Sequence, residues 1–197
     1  MGNVFSTKTE REVSWYQKYP QVSVDFFKKL QVPLDSKIID VGGGDSYLID
    51  ALLELGYTHL YLLDISSKAI ERIKNRLGEQ ASKVTFIVSD ILDFAPQTSF
   101  DIWHDRASFH FLTERQDIQK YVSIVSKSMG NNGKLILGTF SDNGPKKCSG
   151  LEISQYNEAS IEQLFESKFE KIECVHEDHM TPFDTNQNFI FCSFNKI

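Results

Sequence analysis

Residues 38–46 read Ile38-Ile39-Asp40-Val41-Gly42-Gly43-Gly44-Asp45-Ser46, a short apolar run entering three consecutive glycines. Glycine tolerates positive φ and holds no side chain over a ligand, so this turn permits close backbone approach. A helical pattern follows, and the first N–H groups of a helix have no intrahelical partner. Asp64 closes the next apolar run, twenty residues after Gly44. That spacing describes a nucleoside-binding crevice at the carboxyl end of a parallel sheet. A dinucleotide would set its pyrophosphate on the helix N-terminus and wants G-x-G-x-x-G/A. Gly42 and Gly44 fill the first two positions, but Tyr47 stands at the third. Asp40 and Asp45 bracket the turn with negative charge, which repels a pyrophosphate and suits a cationic ligand. A glycine turn with no ligand is the plain alternative.

The second group of reactive types lies in Phe100-Asp101-Ile102-Trp103-His104-Asp105-Arg106-Ala107-Ser108-Phe109-His110-Phe111-Leu112. Two histidines, an aspartate and an arginine fall within seven residues. His104 or His110 could serve as general base, since imidazole titrates near neutrality. A structural pair of Asp105 with a histidine or with Arg106, supporting the strand end, is the competing reading. Near the amino terminus, Trp15, Tyr16 and Tyr19 put three aromatics into five residues. Aromatic faces attract cations by roughly 0.5–2 kcal/mol, although the same rings would also anchor the arm by packing. Cys148-Ser149-Gly150 has no base at a recognised spacing and reads as a loop that shapes a pocket. His176, Glu177, Asp178 and His179 are spaced too irregularly for a metal site and read as a solvated loop.

These side chains need elements to hold them. A helix is expected over 20–30, strands over 37–41 and 59–64, and a helix over 46–55 ending at Gly56. Ser66 or Ser67 caps a helix running to Leu77. Strands follow at 83–89 and 100–104, and Thr113 with Gln116 suggests a capping box for a helix reaching Met129. Asn131-Asn132-Gly133 turns the chain into a strand over 134–140. A polar loop at 141–150, a helix at 158–167 and two β runs at 169–176 and 188–195 complete the chain. Alternating strands and helices imply a parallel sheet covered on both faces. The last two strands have no helix between them and should pair antiparallel.

The chain has 197 residues, 41% hydrophobic and 12% aromatic, enough for one domain with a full core. A net charge of −6 argues against nucleic acid as a partner. Cys148, Cys174 and Cys192 are odd in number and lack C-x-x-C spacing, which suggests a reducing compartment and no structural zinc. No apolar run has the length of a membrane span and no secretory leader is seen, so a cytoplasmic location without membrane contact is expected. Met1-Gly2-Asn3-Val4-Phe5-Ser6 matches a myristoylation pattern. Only Lys8 and Arg11 follow nearby, and one acyl chain without a polybasic patch anchors poorly, so the match is read as coincidence.

Asp40-x-Gly42-x-Gly44-x-Ser46 resembles motif I of class I S-adenosylmethionine-dependent methyltransferases, with serine in the last glycine position. The order of elements over residues 35–197 resembles their seven-stranded sheet as well. The resemblance implies an α/β, Rossmann-like seven-stranded sheet, mostly parallel with an antiparallel C-terminal strand and helices on both faces. It implies S-adenosyl-L-methionine as cofactor, held by Asp40, Gly42, Gly43, Gly44, Asp64, Ile65, Asp90 and Ile91. In that family the acid after strand two takes the ribose hydroxyls. The residue after strand three, here Asp90 with Asp93 as competitor, meets the adenine, with the Ile91 N–H beside it. Residues 1–34 would form an arm and helix closing over the cofactor, with Trp15 and Tyr16 against it. His104, Asp105 and His110 would be the catalytic residues, because the end of strand four borders the methyl donor. The strand-four segment is similar to small methyltransferases of mostly unassigned substrate. More distantly it is similar to elongation-factor lysine methyltransferases, whose Asp-Lys-Gly-Thr stretch Asp105 and Arg106 partly match. The Asn/Asp-Pro-Pro-Tyr motif is absent. The expected reaction is methyl transfer to an O, N or S acceptor, small molecule before protein lysine. A binding module without turnover and an NAD(P)-dependent oxidoreductase are the rivals.

Overall fold

The computed structural model describes residue 14 and residues 16–197. Helix α1 (Gln21–Lys29) leads into β1 (Lys37–Val41), α2 (Leu48–Glu54), β2 (His59–Asp64), α3 (Ser67–Leu77) and β3 (Val84–Val88). Then come β4 (Phe100–Arg106), α4 (Arg115–Ser128), β5 (Met129–Phe140) and a two-residue ribbon, β6 (Lys147–Cys148) with β7 (Leu151–Glu152). Helix α5 (Glu158–Phe165) precedes the long hairpin β8 (Phe169–Met180) and β9 (Asn186–Lys196).

Seven strands form one sheet in the order β3-β2-β1-β4-β5-β9-β8. Strands β1 to β5 are mutually parallel, while β9 pairs antiparallel with both β5 and β8. The C-terminal strand is therefore the antiparallel one, and it lies inside the sheet with β8 at the edge. The sheet order reverses between β1 and β4, where the chain returns from β3 to the other side of β1, and this opens the crevice that α/β sheets use for ligands. Pairing Asp40 opposite His104 and Val41 opposite Asp105 brings the glycine turn beside the end of β4.

Alternation along the strands feeds two cores. Ile38, Ile102 and Ile136 join Phe27 of α1, Leu52 of α2 and Ile73 of α3 on one face. Ile39, Trp103 and Leu135 join Tyr121 and Val125 of α4 and Phe165 of α5 on the other. Ser66 caps α3, accepting from the Ala69 N–H. The Thr113 capping box does not form: Glu114 is the N-cap of α4 and makes no side-chain cap bond. The capping box of this chain lies at α5, where Asn157 and Ser160 exchange bonds. Asn131-Asn132-Gly133 is absorbed into β5 as an irregularity, with Asn132 at φ 65°, where a separate turn was expected.

The register of the last hairpin sets Cys174 opposite Cys192, and their sulfurs are bonded. Neither the cysteine count nor the spacing foretold this, since strand pairing alone brings the two together. The bond runs against the reducing environment expected from the odd count. Cys148 is free and buried. Among the described residues no helix is long and apolar enough to cross a membrane.

Candidate functional site

The three glycines bend the chain between β1 and α2, with Gly42 at φ 65° and Gly44 at φ 43°. A Cβ on Gly42 would lie 2.4 Å from the Cβ of Ser108, and one on Gly43 would lie 2.6 Å from Asp40 Oδ2. The turn is thus pressed onto its own strand and onto the segment after β4, which only bare backbone permits. Asp64 locks it from the side. Its Oδ2 accepts the Gly44 N–H at 2.9 Å and its Oδ1 the Ser66 N–H at 2.7 Å. Burial, with Asp40 and Asp45 nearby, outweighs those bonds and pushes the Asp64 carboxyl up to about 6.

Asp40 is buried and splits its two oxygens. Oδ1 accepts from His104 Nδ1 at 2.7 Å, whereas Oδ2 is buried without a hydrogen-bond partner. Asp45 turns the other way and pairs with Arg72 at 3.1 Å. Of the two acids expected to charge the turn, only Asp40 faces the crevice. A cavity of about 270 Å³ opens there, lined by Asp40, Gly42, Gly43, Gly44, Asp64, Ile65, Asp90 and Ile91. All eight are sequence-expected cofactor contacts. Ile65 is 54% exposed, an apolar flank beside Asp64, and Asp90 caps a short turn through the Leu92 N–H at 2.9 Å.

The histidine–aspartate cluster behaves differently. None of His104, Asp105 and His110 lines that cavity. His104 and Asp105 are consecutive strand residues, so their side chains leave opposite faces of the sheet. His104 points under α1, its Nε2 2.9 Å from the Ser23 hydroxyl. Asp105 points under α4. There it accepts from the Tyr121 hydroxyl at 2.7 Å and from the Ser108 and Phe109 N–H groups at 3.1 Å each. Trp103 Nε1 donates to the same tyrosine. Burial nevertheless lifts Asp105 to about 6, the bonds opposing it. Asp105 holds the turn after β4 in place and does not line that cavity. His110 is fully buried and stacks on Phe140 at 4.6 Å, and burial with the charge of Arg106 drives its pKa down to about 3. The structure brings none of the three expected catalytic side chains to the cavity: His104 and Asp105 brace the strand end from its two faces, and burial lowers the pKa of His110, which weakens it as a base near neutrality.

What the end of β4 does bring to the cavity is Arg106, Ala107 and Ser108, joined by Phe111, Leu112, Cys148 and Ser149. Arg106 was visible in the sequence as a member of the dense segment, but its role depends on the alternation phase of β4. Cys148 has its thiol raised to about 11 by burial, so it enters as an apolar wall.

Trp15 lies outside the described residues. Tyr16 is not among the cavity-lining residues. It meets Tyr47 edge-on at 6.0 Å, and Arg76 covers the other ring at 4.0 Å. The arm is also fastened to β8: Gln17 Nε2 donates to Glu177 Oε1 at 3.1 Å, and His179 Nε2 donates to the Ser14 carbonyl at 2.8 Å. Glu177 and His179, read from sequence as a solvated loop, instead hold the arm, and His179 is buried. Among the described residues no group of three or more histidine, cysteine or acidic side chains is arranged to hold a metal.

A family profile described as a methyltransferase domain matches residues 35–188. The chain is 24% identical over 134 residues to the eEF1A lysine and N-terminal methyltransferase of Bos taurus, covering 67% of this chain and 19% of that protein. It is also 24% identical over 147 residues to EEF1A lysine methyltransferase 2 of Homo sapiens, covering 65% of this chain and 62% of the relative. The chain thus spans less than two thirds of either relative. The fold is shared with the 1,6-didemethyltoxoflavin-N1-methyltransferase of Burkholderia thailandensis, crystallised with 1,6-didemethyltoxoflavin and S-adenosylhomocysteine. The TM-score is 0.70 at 15% identity, over 98% of this chain and 81% of that one.

Proposed function

The chain belongs to the methyltransferase domain family, and from that premise we propose that it is an S-adenosylmethionine-dependent methyltransferase acting on an O, N or S acceptor. The observation that carries this reading is the buried, unpartnered Oδ2 of Asp40 beneath a side-chain-free turn, in one cavity with Asp64 and Asp90. A buried carboxylate oxygen without a donor is costly, and a cationic ligand relieves that cost. The donor's ammonium and sulfonium are such cations. Asp64 spends one lone pair of each oxygen on the backbone and keeps the others for ribose hydroxyls. Asp90 and the Ile91 N–H flank the place of the adenine, and Ile65 covers it. S-adenosylmethionine supplies a methyl group on a positively charged sulfur, which the acceptor displaces in line.

The protein's share of that reaction is alignment and exclusion of water. Residues 35–197 act as the methyltransferase domain. Residues 1–34 act as the lid, since Tyr16 reaches the glycine turn through Tyr47 while Gln17 reaches β8. A small-molecule acceptor is favoured over a protein lysine, because the described residues add no large insertion to the sheet and its helices. Calorimetry with S-adenosylmethionine, S-adenosylhomocysteine and NAD tests the reading. Binding of the first two with no signal from NAD is expected, and tight NAD binding with no adenosylmethionine signal overturns it.

A further inference from the structure

Asp40 and His104 are register partners on β1 and β4, so their side chains leave the same face of the sheet. His104 Nδ1 donates to Asp40 Oδ1 at 2.7 Å, and the other ring nitrogen, Nε2, lies 2.9 Å from the Ser23 hydroxyl. All three residues are buried. Ser23 and Phe27 stand four apart on α1 and share one face of that helix. The Phe27 ring centre is 6.2 Å from that of His104. Helix α1 therefore meets the imidazole both at its far nitrogen and on its ring. No described residue of α1 lines the cavity.

An aspartate carboxylate turns about a bond with only a broad rotational preference, so its hydrogen bonds decide where each oxygen faces. With Oδ1 tied to Nδ1, Oδ2 is left on the side of the glycine turn, where a Cβ on Gly43 would come within 2.6 Å of it. That oxygen is the one without a hydrogen-bond partner, and Asp40 is part of the cavity lining. An acceptor already held in its binding orientation loses less freedom when a charged donor arrives. The Ser23 hydroxyl can donate to a bare Nε2 or accept from a protonated one, so it steadies the ring in either protonation state.

We propose that His104 and Ser23 are positioning residues for the methyl donor: the chain from Ser23 through His104 aims Asp40 Oδ2 at the donor's ammonium, and α1 thereby sets the affinity for the amino-acid arm from outside the cavity. The inference rests on the proposed methyl-donor site. Neither residue touches the ligand, and both act through Asp40. A buried chain that served only the core would support the nucleoside and the amino-acid arm of the donor alike, which gives the two roles different signatures.

The test uses the full chain and two probes, S-adenosylhomocysteine and 5′-methylthioadenosine, the same thionucleoside without the amino-acid arm. If neither binds the unmutated chain, the donor reading fails on its own account. With binding established, both are titrated by calorimetry into the variants. His104→Leu should weaken S-adenosylhomocysteine at least tenfold and 5′-methylthioadenosine less than threefold. His104→Asn, whose amide N–H can stand in for Nδ1–H, should recover part of the loss. Ser23→Ala should weaken S-adenosylhomocysteine about threefold and leave 5′-methylthioadenosine unchanged. Equal loss of both probes, undiminished S-adenosylhomocysteine affinity in folded His104→Leu, or His104→Asn no better than His104→Leu each overturns the proposal. If the His104 variants do not fold, Ser23→Ala decides: an unchanged ratio of the two affinities overturns the proposal, and a fall confined to S-adenosylhomocysteine upholds it.

Discussion

The ends of β1, β2 and β3 and the end of β4 carry comparable densities of polar side chains, yet they use them in opposite ways. At the first three strands Asp40, Asp64 and Asp90 turn toward the cavity. At the fourth, His104 and Asp105 turn away from it, one beneath α1 and one beneath α4. The first region is organised by backbone: glycines set a bare turn and carboxylates lock it through N–H groups. The second is organised by side chains packed from both faces of the sheet. A dense run of reactive residue types is therefore a poor guide to chemistry when it lies inside a strand, because consecutive side chains there leave opposite faces of the sheet.

The sharpest way to break this contrast is Asp105→Ala. It strands the Tyr121 hydroxyl and two N–H groups inside the protein and should cost about 3–5 kcal/mol of stability. Urea unfolding checks this. A protein of unchanged stability that only loses turnover would return Asp105 to catalysis.

Gly42→Ala attacks the other region through its backbone. The added Cβ meets Ser108 at a positive φ, which should cost roughly 1–3 kcal/mol. S-adenosylhomocysteine affinity should fall at least tenfold as the turn lifts, a factor worth about 1.4 kcal/mol. An unchanged dissociation constant would show that the turn does not shape the site.

Asp64→Asn should weaken the same ligand by about 1.5–3 kcal/mol, the range for hydrogen bonds to a charged group. The pH dependence sharpens the point. The Asp64 pKa in the folded chain is about 6 against an ordinary 3.8. Its contribution to stability is thus complete below about pH 4 and is lost as pH rises through about 6. Ligand affinity should move the other way, rising between pH 5 and pH 7 as the carboxylate forms. Asp64→Asn should flatten the affinity change and remove one part of the stability change. Parallel pH profiles in variant and parent would place the titration elsewhere.

The smallest expected effect lies in the arm. Tyr16→Ala removes one edge-on aromatic contact, worth about 0.5–1.5 kcal/mol. Hydrogen exchange of the arm amides should speed up by that amount, with the sheet amides unchanged. Exchange that stays slow would mean that the contact with Tyr47 does not hold the arm.

The fold was legible because its signals are local and repeated. Apolar runs ending at Val41 and Asp64, the Ser66 cap and the alternation of strand with helix each specify an element without reference to distant residues. The lining of the cavity beside β1, β2 and β3 was legible for the same reason: three glycines and the acids following strands act through backbone geometry that strand ends impose. Where reading failed, the missing information was spatial. Thr113 looked like a cap because its spacing to Gln116 was right, but the N-cap fell one residue later, at Glu114. The pairing of Cys174 with Cys192 depended on hairpin register.

The sequence by itself thus determined the sheet, the bare turn and the acids around it, since a glycine's freedom and a strand's end are properties of the local chain. Only the tertiary structure decided which face of β4 meets the cavity. A one-residue change in alternation phase would have exposed His104's neighbour in place of Arg106, and that phase is set by how α1 and α4 press on the two sides of the sheet.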